Sequence, residues 1–123
     1  MRPAILAQMP VFTPADALRA DGRTAPVMEV VTFRLSPGMD EAAFLAAARG
    51  TEEALARQPG FIARRLLKGE DGWTDLVEWQ DLAAAETAAG AMMADPAFAP
   101  FLAAIDPESI AMSHPAIRWR MGD

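Results

Sequence analysis

The order in which strand-like and helix-like segments follow one another constrains the fold of this chain most. Two segments rich in β-branched and large apolar residues, 27–35 and 61–68, flank an alanine-rich, proline-free segment at 41–57. β-Branched residues favour strands, whereas a longer run with apolar residues at helical spacing favours a helix. The first half of the pattern therefore predicts strand, helix, strand.

A short hairpin is predicted to join the second strand to the third. Gly69-Glu-Asp-Gly72 forms a four-residue loop, and residues 73–79 again have a strand-like composition. The last strand-like segment is 110–119, which contains Pro115. Because proline lacks the N–H that an inner strand donates, we expect this segment to lie at an edge of the sheet.

The chain between the third and fourth strands carries two helix start signals. Asp81 can cap a helix that runs to about Met93. Asp95-Pro96 places a second capping residue before a proline at the first helical position, and a further helical stretch follows at 97–105. We therefore expect the helical region to bend or break between Met93 and Pro96.

The complete order is β-α-β-β-α-β, with short loops. It predicts an α+β, ferredoxin-like domain over residues 27–123, with helices on one face of a four-stranded antiparallel sheet. Residues 1–26 precede this domain and contain four prolines. We expect them to form an N-terminal extension, either poorly ordered or folded as a short helix or arm on the domain or on a partner.

The face of the sheet that two helical regions cannot cover is predicted to be apolar. Its candidate residues are Met28, Val30, Ile62, Leu66 and Leu76. Each such side chain loses about 1.5–3 kcal/mol when it stays in water rather than being buried. Together they would form a larger apolar patch than a monomer usually exposes. We therefore expect two chains to dock these faces as a homodimer, which gives a dimeric α/β barrel.

Composition excludes several classes of function. The net charge of −6 disfavours binding to nucleic acid and to anionic membranes. The chain has no cysteine and a single histidine, so neither a thiolate metal site nor a histidine-rich one can form within one chain. No segment approaches the roughly 18 apolar residues that span a bilayer. We expect a cytoplasmic protein that binds no metal.

Five motifs are spaced along residues 27–119. They are Val30-Val-Thr-Phe-Arg-Leu-Ser-Pro-Gly-Met-Asp40, Phe44, Gln58-Pro59-Gly60-Phe61, Leu76-Val-Glu-Trp79 and Met93-Ala-Asp-Pro-Ala-Phe98. Together they resemble the antibiotic-biosynthesis-monooxygenase-like branch of the dimeric α/β-barrel superfamily. The resemblance implies the dimeric fold described above. It also implies one of two activities: oxygenation of polycyclic aromatic substrates without a cofactor, or degradation of haem.

Haem chemistry fits this chain poorly. The resemblance to haem-degrading members implies an axial histidine late in the second helical region and an asparagine on the first strand. Residues 98–103 contain no histidine, and the chain contains no asparagine. Trp79 does match the tryptophan on the third strand of those enzymes. We therefore expect no cofactor.

The resemblance to the cofactor-independent members implies an apolar pocket between sheet and helices, a base, and a small apolar or aromatic ligand. The candidate substrate-binding residues are Phe33, Trp79, Glu29, Met92 and Phe98, and Val31, Val77 and Phe101 are further candidates for the lining. His114 is the candidate base, because free imidazole titrates near neutral pH. The absence of tyrosine departs from many members, which place one near the substrate.

Two functions therefore stay open. The first is a cofactor-independent monooxygenase, or a related small-molecule enzyme, for an aromatic or quinone-like substrate. The second is a non-catalytic ligand-binding or stress-related dimeric module, in which Trp79 is a core residue and His114 lies at the surface or at an interface. A cavity of about 300 Å3 or more that Glu29 or His114 faces would favour the enzyme.

Overall fold

The computed structural model describes residues 25–122. Their strands form one antiparallel sheet in the order β2-β3-β1-β4. The strands are β1 (Val27–Phe33), β2 (Phe61–Lys68), β3 (Trp73–Trp79) and β4 (Ala111–Ser113). This order confirms the predicted ferredoxin-like α+β fold. The predicted N-terminal extension, apart from its last two residues, lies outside the described residues.

The helices cover one face of this sheet. They are α1 (Glu41–Arg49), α2 (Glu52–Ala56), α3 (Leu82–Ala94) and α4 (Ala99–Ala103), with 3-10 turns at Pro96–Phe98 and Pro107–Ser109. The Asp81 carboxylate accepts the Ala84 N–H at the start of α3, as predicted. The predicted break after Met93 is also confirmed, because Asp95 is extended and caps the following turn through Ala97.

The first helical region is divided, whereas the sequence predicts one helix over 41–57. The division falls at Gly50 and Thr51, between α1 and α2. Glycine is a poor helix former, and the Thr51 hydroxyl donates a 2.6 Å hydrogen bond to the Ala48 carbonyl. This local bond competes with the continuation of α1 and leaves Thr51 fully buried.

Two strands are shorter than predicted. β1 ends at Phe33 rather than at residue 35, although Leu35 still forms an isolated bridge with Ile105. The fourth strand, expected over 110–119, has regular pairing only at Ala111–Ser113. Pro115 interrupts it, as proline does in a strand, and pairing resumes at a bridge between Ala116 and Val27 of β1, followed by a 2.8 Å bond from the Ile117 N–H to the Pro26 carbonyl.

The open face is apolar at its centre, but one predicted member does not belong to it. Val30 lies opposite Leu76 in the β1–β3 ladder, and both are half-buried. Leu66 instead lies opposite Asp75 and packs against the core under the helices, so its predicted place on the open face is wrong. A register shift between Phe61 and Ala63 reverses the faces of the residues that follow.

Ile62 lies at this register shift and is 48% exposed. Met28, the remaining predicted member, alternates with the buried Val27 and Glu29 along β1 and is half-buried. The open face of the structure is therefore centred on Met28, Val30 and Leu76. None of the helices in the described part of the chain is both long and apolar enough to cross a membrane.

Candidate functional site

A cavity of about 270 Å3 lies between the sheet and the helical layer. Its wall is almost entirely apolar, and six of the residues expected to line such a pocket do so: Val31, Phe33, Val77, Met92, Phe98 and Phe101. A small-molecule site typically has a volume of about 300–1,000 Å3, so the cavity lies just below that range and just below the volume that would favour an enzyme. It can hold a compact apolar ligand.

The cavity opens to solvent at a mouth formed by three apolar side chains. Met93, Leu102 and Ile110 line the cavity and are 70%, 36% and 43% exposed. Methionine is flexible and adapts its shape to a ligand. The cavity therefore has a route to solvent that does not require the sheet or the helices to separate.

Three ionisable residues line the cavity: Glu29, Arg64 and Asp75. Two of them neutralise each other. The Arg64 Nε and Nη2 atoms donate to the two Asp75 carboxylate oxygens at 2.9 and 2.8 Å. Both side chains are largely buried, and a bidentate pair of this kind fixes the geometry of both groups. Asp75 therefore has both oxygens engaged by protein.

Arg64 is held from two further sides. Its Nη1 atom donates to the Thr51 hydroxyl at 2.8 Å, and its Cζ atom lies 5.1 Å from the centre of the Phe101 ring. The ring face is electronegative, so this position attracts the cation. No sequence motif indicates this cluster, although Arg64 and Asp75 lie on the two strands joined by the predicted hairpin.

Glu29 is the cavity carboxylate that has one oxygen without a donor among the described residues. The Trp79 indole N–H donates to Glu29 Oε1 at 3.0 Å, whereas no described residue donates to Oε2. Glu29 is buried and lines the cavity. Its Oε2 atom can accept a hydrogen bond, or a proton, from a molecule in the cavity.

Trp79 and His114 lie behind Glu29 rather than on the cavity wall. Trp79 is fully buried and packs edge-on against the Phe61 ring. The His114 Nε2 atom lies 3.8 Å from Glu29 Oε1, too far for a hydrogen bond. The His114 Nδ1 atom is buried and has no partner among the described residues. Neither side chain can touch a ligand in the cavity.

A separate ion pair lies on the open face of the sheet. Glu78 is buried there and accepts hydrogen bonds from the Arg120 guanidinium, one of them at 3.0 Å. The hydrogen bond and the charge of Glu78 raise the pKa of Arg120 above its usual value. The pair holds the C-terminal segment against β3. It lies on the open face, whereas the cavity lies on the helix-covered face.

Neither a model of a known protein family nor a curated protein matches this chain. Solved structures do. SnoaB from Streptomyces nogalater, a cofactor-independent oxygenase, matches with 25% identity over 80% of this chain and 96% of its own, at a TM-score of 0.55. A putative antibiotic biosynthesis monooxygenase from Chloroflexus aurantiacus matches with 13% identity over 80% of this chain and 98% of its own, at 0.58.

A dimeric ferredoxin-like protein of unknown function from Jannaschia gives a similar match. Its identity is 13% over 75% of this chain and 99% of its own, at a TM-score of 0.58. The chain therefore has the fold of the antibiotic-biosynthesis-monooxygenase-like proteins, as its sequence motifs indicated. Of these three proteins, SnoaB has the highest sequence identity to this chain, 25%.

Proposed function

We propose that this protein is a cofactor-independent monooxygenase that takes an aromatic or quinone-like substrate into the cavity. The observation that carries the proposal is the Glu29 carboxylate at the cavity wall. Its Oε2 atom receives no hydrogen bond from a described residue, whereas Arg64 and Asp75, the other ionisable residues there, pair with each other. The similarity to SnoaB, described as a cofactor-independent oxygenase, supports the same reaction class.

Such a reaction needs a base more than it needs an oxidising group of the protein. Glu29 would take a proton from an acidic ring CH2 of the substrate, which leaves a carbanion that the aromatic system stabilises. The carbanion would give its electron pair to dioxygen, and a C–O bond would form. After the proton returns, loss of water from the hydroperoxide leaves a ring carbonyl. The sum is substrate plus dioxygen to ketone plus water.

The structure changes the choice of base. The sequence predicted His114, but that side chain does not line the cavity and lies behind Glu29. Asp75 is a weaker candidate than Glu29 because Arg64 binds both of its oxygens. We therefore propose Glu29 as the catalytic base. Trp79, whose indole N–H donates to Glu29 Oε1, would position its carboxylate.

Oxygen uptake with two-ring substrates that carry an acidic ring CH2 tests this proposal. Glu29→Gln keeps the shape of the side chain and removes its basicity, so we expect the rate to fall by about 10²–10⁴-fold, the usual contribution of a general base. Glu86→Gln is the matched control, because Glu86 is exposed on α3 and does not line the cavity. Equal uptake by wild type and Glu29→Gln would exclude Glu29 as the base.

The same site also supports a non-catalytic ligand-binding module. The observation that favours this second function is that only one carboxylate oxygen of the cavity-lining residues lacks a protein donor, which is enough to orient a phenol but supplies no second catalytic group. Binding of a phenol by the wild-type protein with no oxygen uptake from any substrate tested would select this function instead.

We also propose that two copies of the chain associate through the open face centred on Met28, Val30 and Leu76. Half-buried apolar residues at the middle of an uncovered sheet support this. The structurally similar Jannaschia protein is described as dimeric. The cavity lies on the opposite, helix-covered face, so each protomer would keep its own mouth to solvent.

A further inference from the structure

A second concave surface adjoins the cavity. It is a groove of about 530 Å3 between α1, α2 and β2. Leu45, Ala48, Phe61 and Leu66 line the groove but not the cavity. Leu55 and Arg64 line both spaces, so these two side chains form a partition between groove and cavity.

Arg64 is the polar half of this partition, and its partners lie on the cavity side. Asp75 and Phe101, which the guanidinium contacts, line the cavity and not the groove. Moving Arg64 away would leave the buried Asp75 carboxylate without its partner, which is costly. The partition is therefore expected to stay closed in the resting protein.

Leu55 is the apolar half of the partition. It is 3% exposed and belongs to α2, a helix of five residues between Thr51 and Arg57. The Thr51 hydroxyl that precedes α2 also accepts a hydrogen bond from Arg64. Leu55 on α2 and Arg64 on β2 are therefore held at the same place, where these two elements pack together.

We propose that Arg64 and Leu55 set the upper size of the substrate. This inference rests on the proposed function and concerns its substrate class. With the partition in place, a cavity of about 270 Å3 holds a phenol or quinol of about two fused rings. Without these two side chains, the cavity continues into the groove. The volume of the joined space falls well within the range of small-molecule sites and holds four fused rings.

Two double variants separate the bulk of Arg64 from its charge. Arg64→Met/Asp75→Asn removes the ion pair and keeps a long side chain in the partition, whereas Arg64→Ala/Asp75→Asn removes the ion pair and the bulk. Both lose the same buried charges, so they differ only in whether the partition is filled. Leu55→Ala opens the partition from its apolar side and leaves Arg64 and Asp75 intact.

The measurement is equilibrium binding of 1-naphthol, with two fused rings, and of 1-hydroxypyrene, with four, followed by fluorescence. We expect Arg64→Ala/Asp75→Asn to bind 1-hydroxypyrene at least about tenfold more tightly than Arg64→Met/Asp75→Asn, because the additional rings bury apolar surface in the joined space. The two variants should bind 1-naphthol equally. Leu55→Ala should show the same gain for 1-hydroxypyrene over wild type.

Equal affinity of the two double variants for 1-hydroxypyrene would overturn the inference while leaving the proposed function in place. If neither double variant folds, Leu55→Ala decides alone, and an affinity for 1-hydroxypyrene equal to that of wild type overturns it. Absence of 1-naphthol binding to the wild-type protein would overturn both the inference and the proposed function. Tight binding of 1-hydroxypyrene by wild type would show that the partition sets no limit.

Discussion

At the scale of single residues, one hydrogen bond links the buried Trp79 to the residue that we propose as the base. Trp79 is fully buried, which alone would make it a packing residue, but its indole N–H is the donor that holds Glu29 Oε1. That bond leaves Oε2 as the oxygen that would meet a ligand under the proposed function.

Trp79→Phe tests the value of this bond. The substitution keeps an aromatic ring and removes the donor to a buried carboxylate, so we expect the free energy of unfolding to fall by about 1.5–3 kcal/mol beyond the loss of ring volume. Trp73→Phe is the matched control. Trp73 is also buried on β3 and makes no hydrogen bond through its indole N–H to a described residue. Equal losses in urea denaturation would show that the bond contributes nothing.

The sequence predicted part of this site and missed part for a physical reason. Glu29 and Phe33 have the same parity on β1, and both line the cavity. The position of His114 depends on the pairing of β4 with β1 beside Pro115, which strand periodicity cannot specify. The Arg64–Asp75 pair depends on a register shift at the start of β2, and one residue of shift changes which face a side chain occupies.

At the scale of elements, local chemistry fixed most boundaries. The aspartates before α1 and α3 cap these helices, and prolines occupy the first or second position of α4 and of both 3-10 turns. Those signals act over three or four residues, so the sequence shows them directly. The register shift after Gly60 does not come from such a signal, because it depends on how β2 meets α3 and β3 in space.

A substitution at Gly60 tests the contact between the start of β2 and α3. It has φ = +89°, and a Cβ atom there would lie 2.6 Å from the Ala84 Cβ atom on α3. We expect Gly60→Ala to lower the free energy of unfolding by about 1–3 kcal/mol, since both the backbone strain and the overlap act in the same direction.

Gly90→Ala is the opposite case and serves as the control. Gly90 lies within α3, and a Cβ atom there would meet nothing within 4 Å. Alanine is the better helix former, so this change should raise the free energy of unfolding by about 0.5–1 kcal/mol. Urea denaturation measures whether the free energy of unfolding falls in Gly60→Ala and rises in Gly90→Ala. A loss of stability in Gly90→Ala would show that α3 is packed differently.

At the scale of the whole molecule, the sheet has two faces and the described helices cover one of them. This accounts for both the cavity and the expected dimer. The described helices cover one face, and the space left between them and the sheet is the cavity. The other face carries Met28, Val30 and Leu76 at its centre, with the Glu78–Arg120 pair beside them. Strand alternation predicted an apolar open face correctly, and failed for Leu66, which follows the register shift.

Val30→Asp tests the dimer at the centre of that face. In a dimer the new carboxylate would be buried without a partner, at a cost of about 3–5 kcal/mol, and the dimer should dissociate at least about a hundredfold more readily. Sedimentation velocity should give the wild type twice the 13.2 kDa mass of one chain, and Val30→Asp the mass of one. Ala83→Asp, an exposed change on α3, should leave the dimer intact. A wild-type protein that sediments as one chain at micromolar concentration would mean that the open face stays in water.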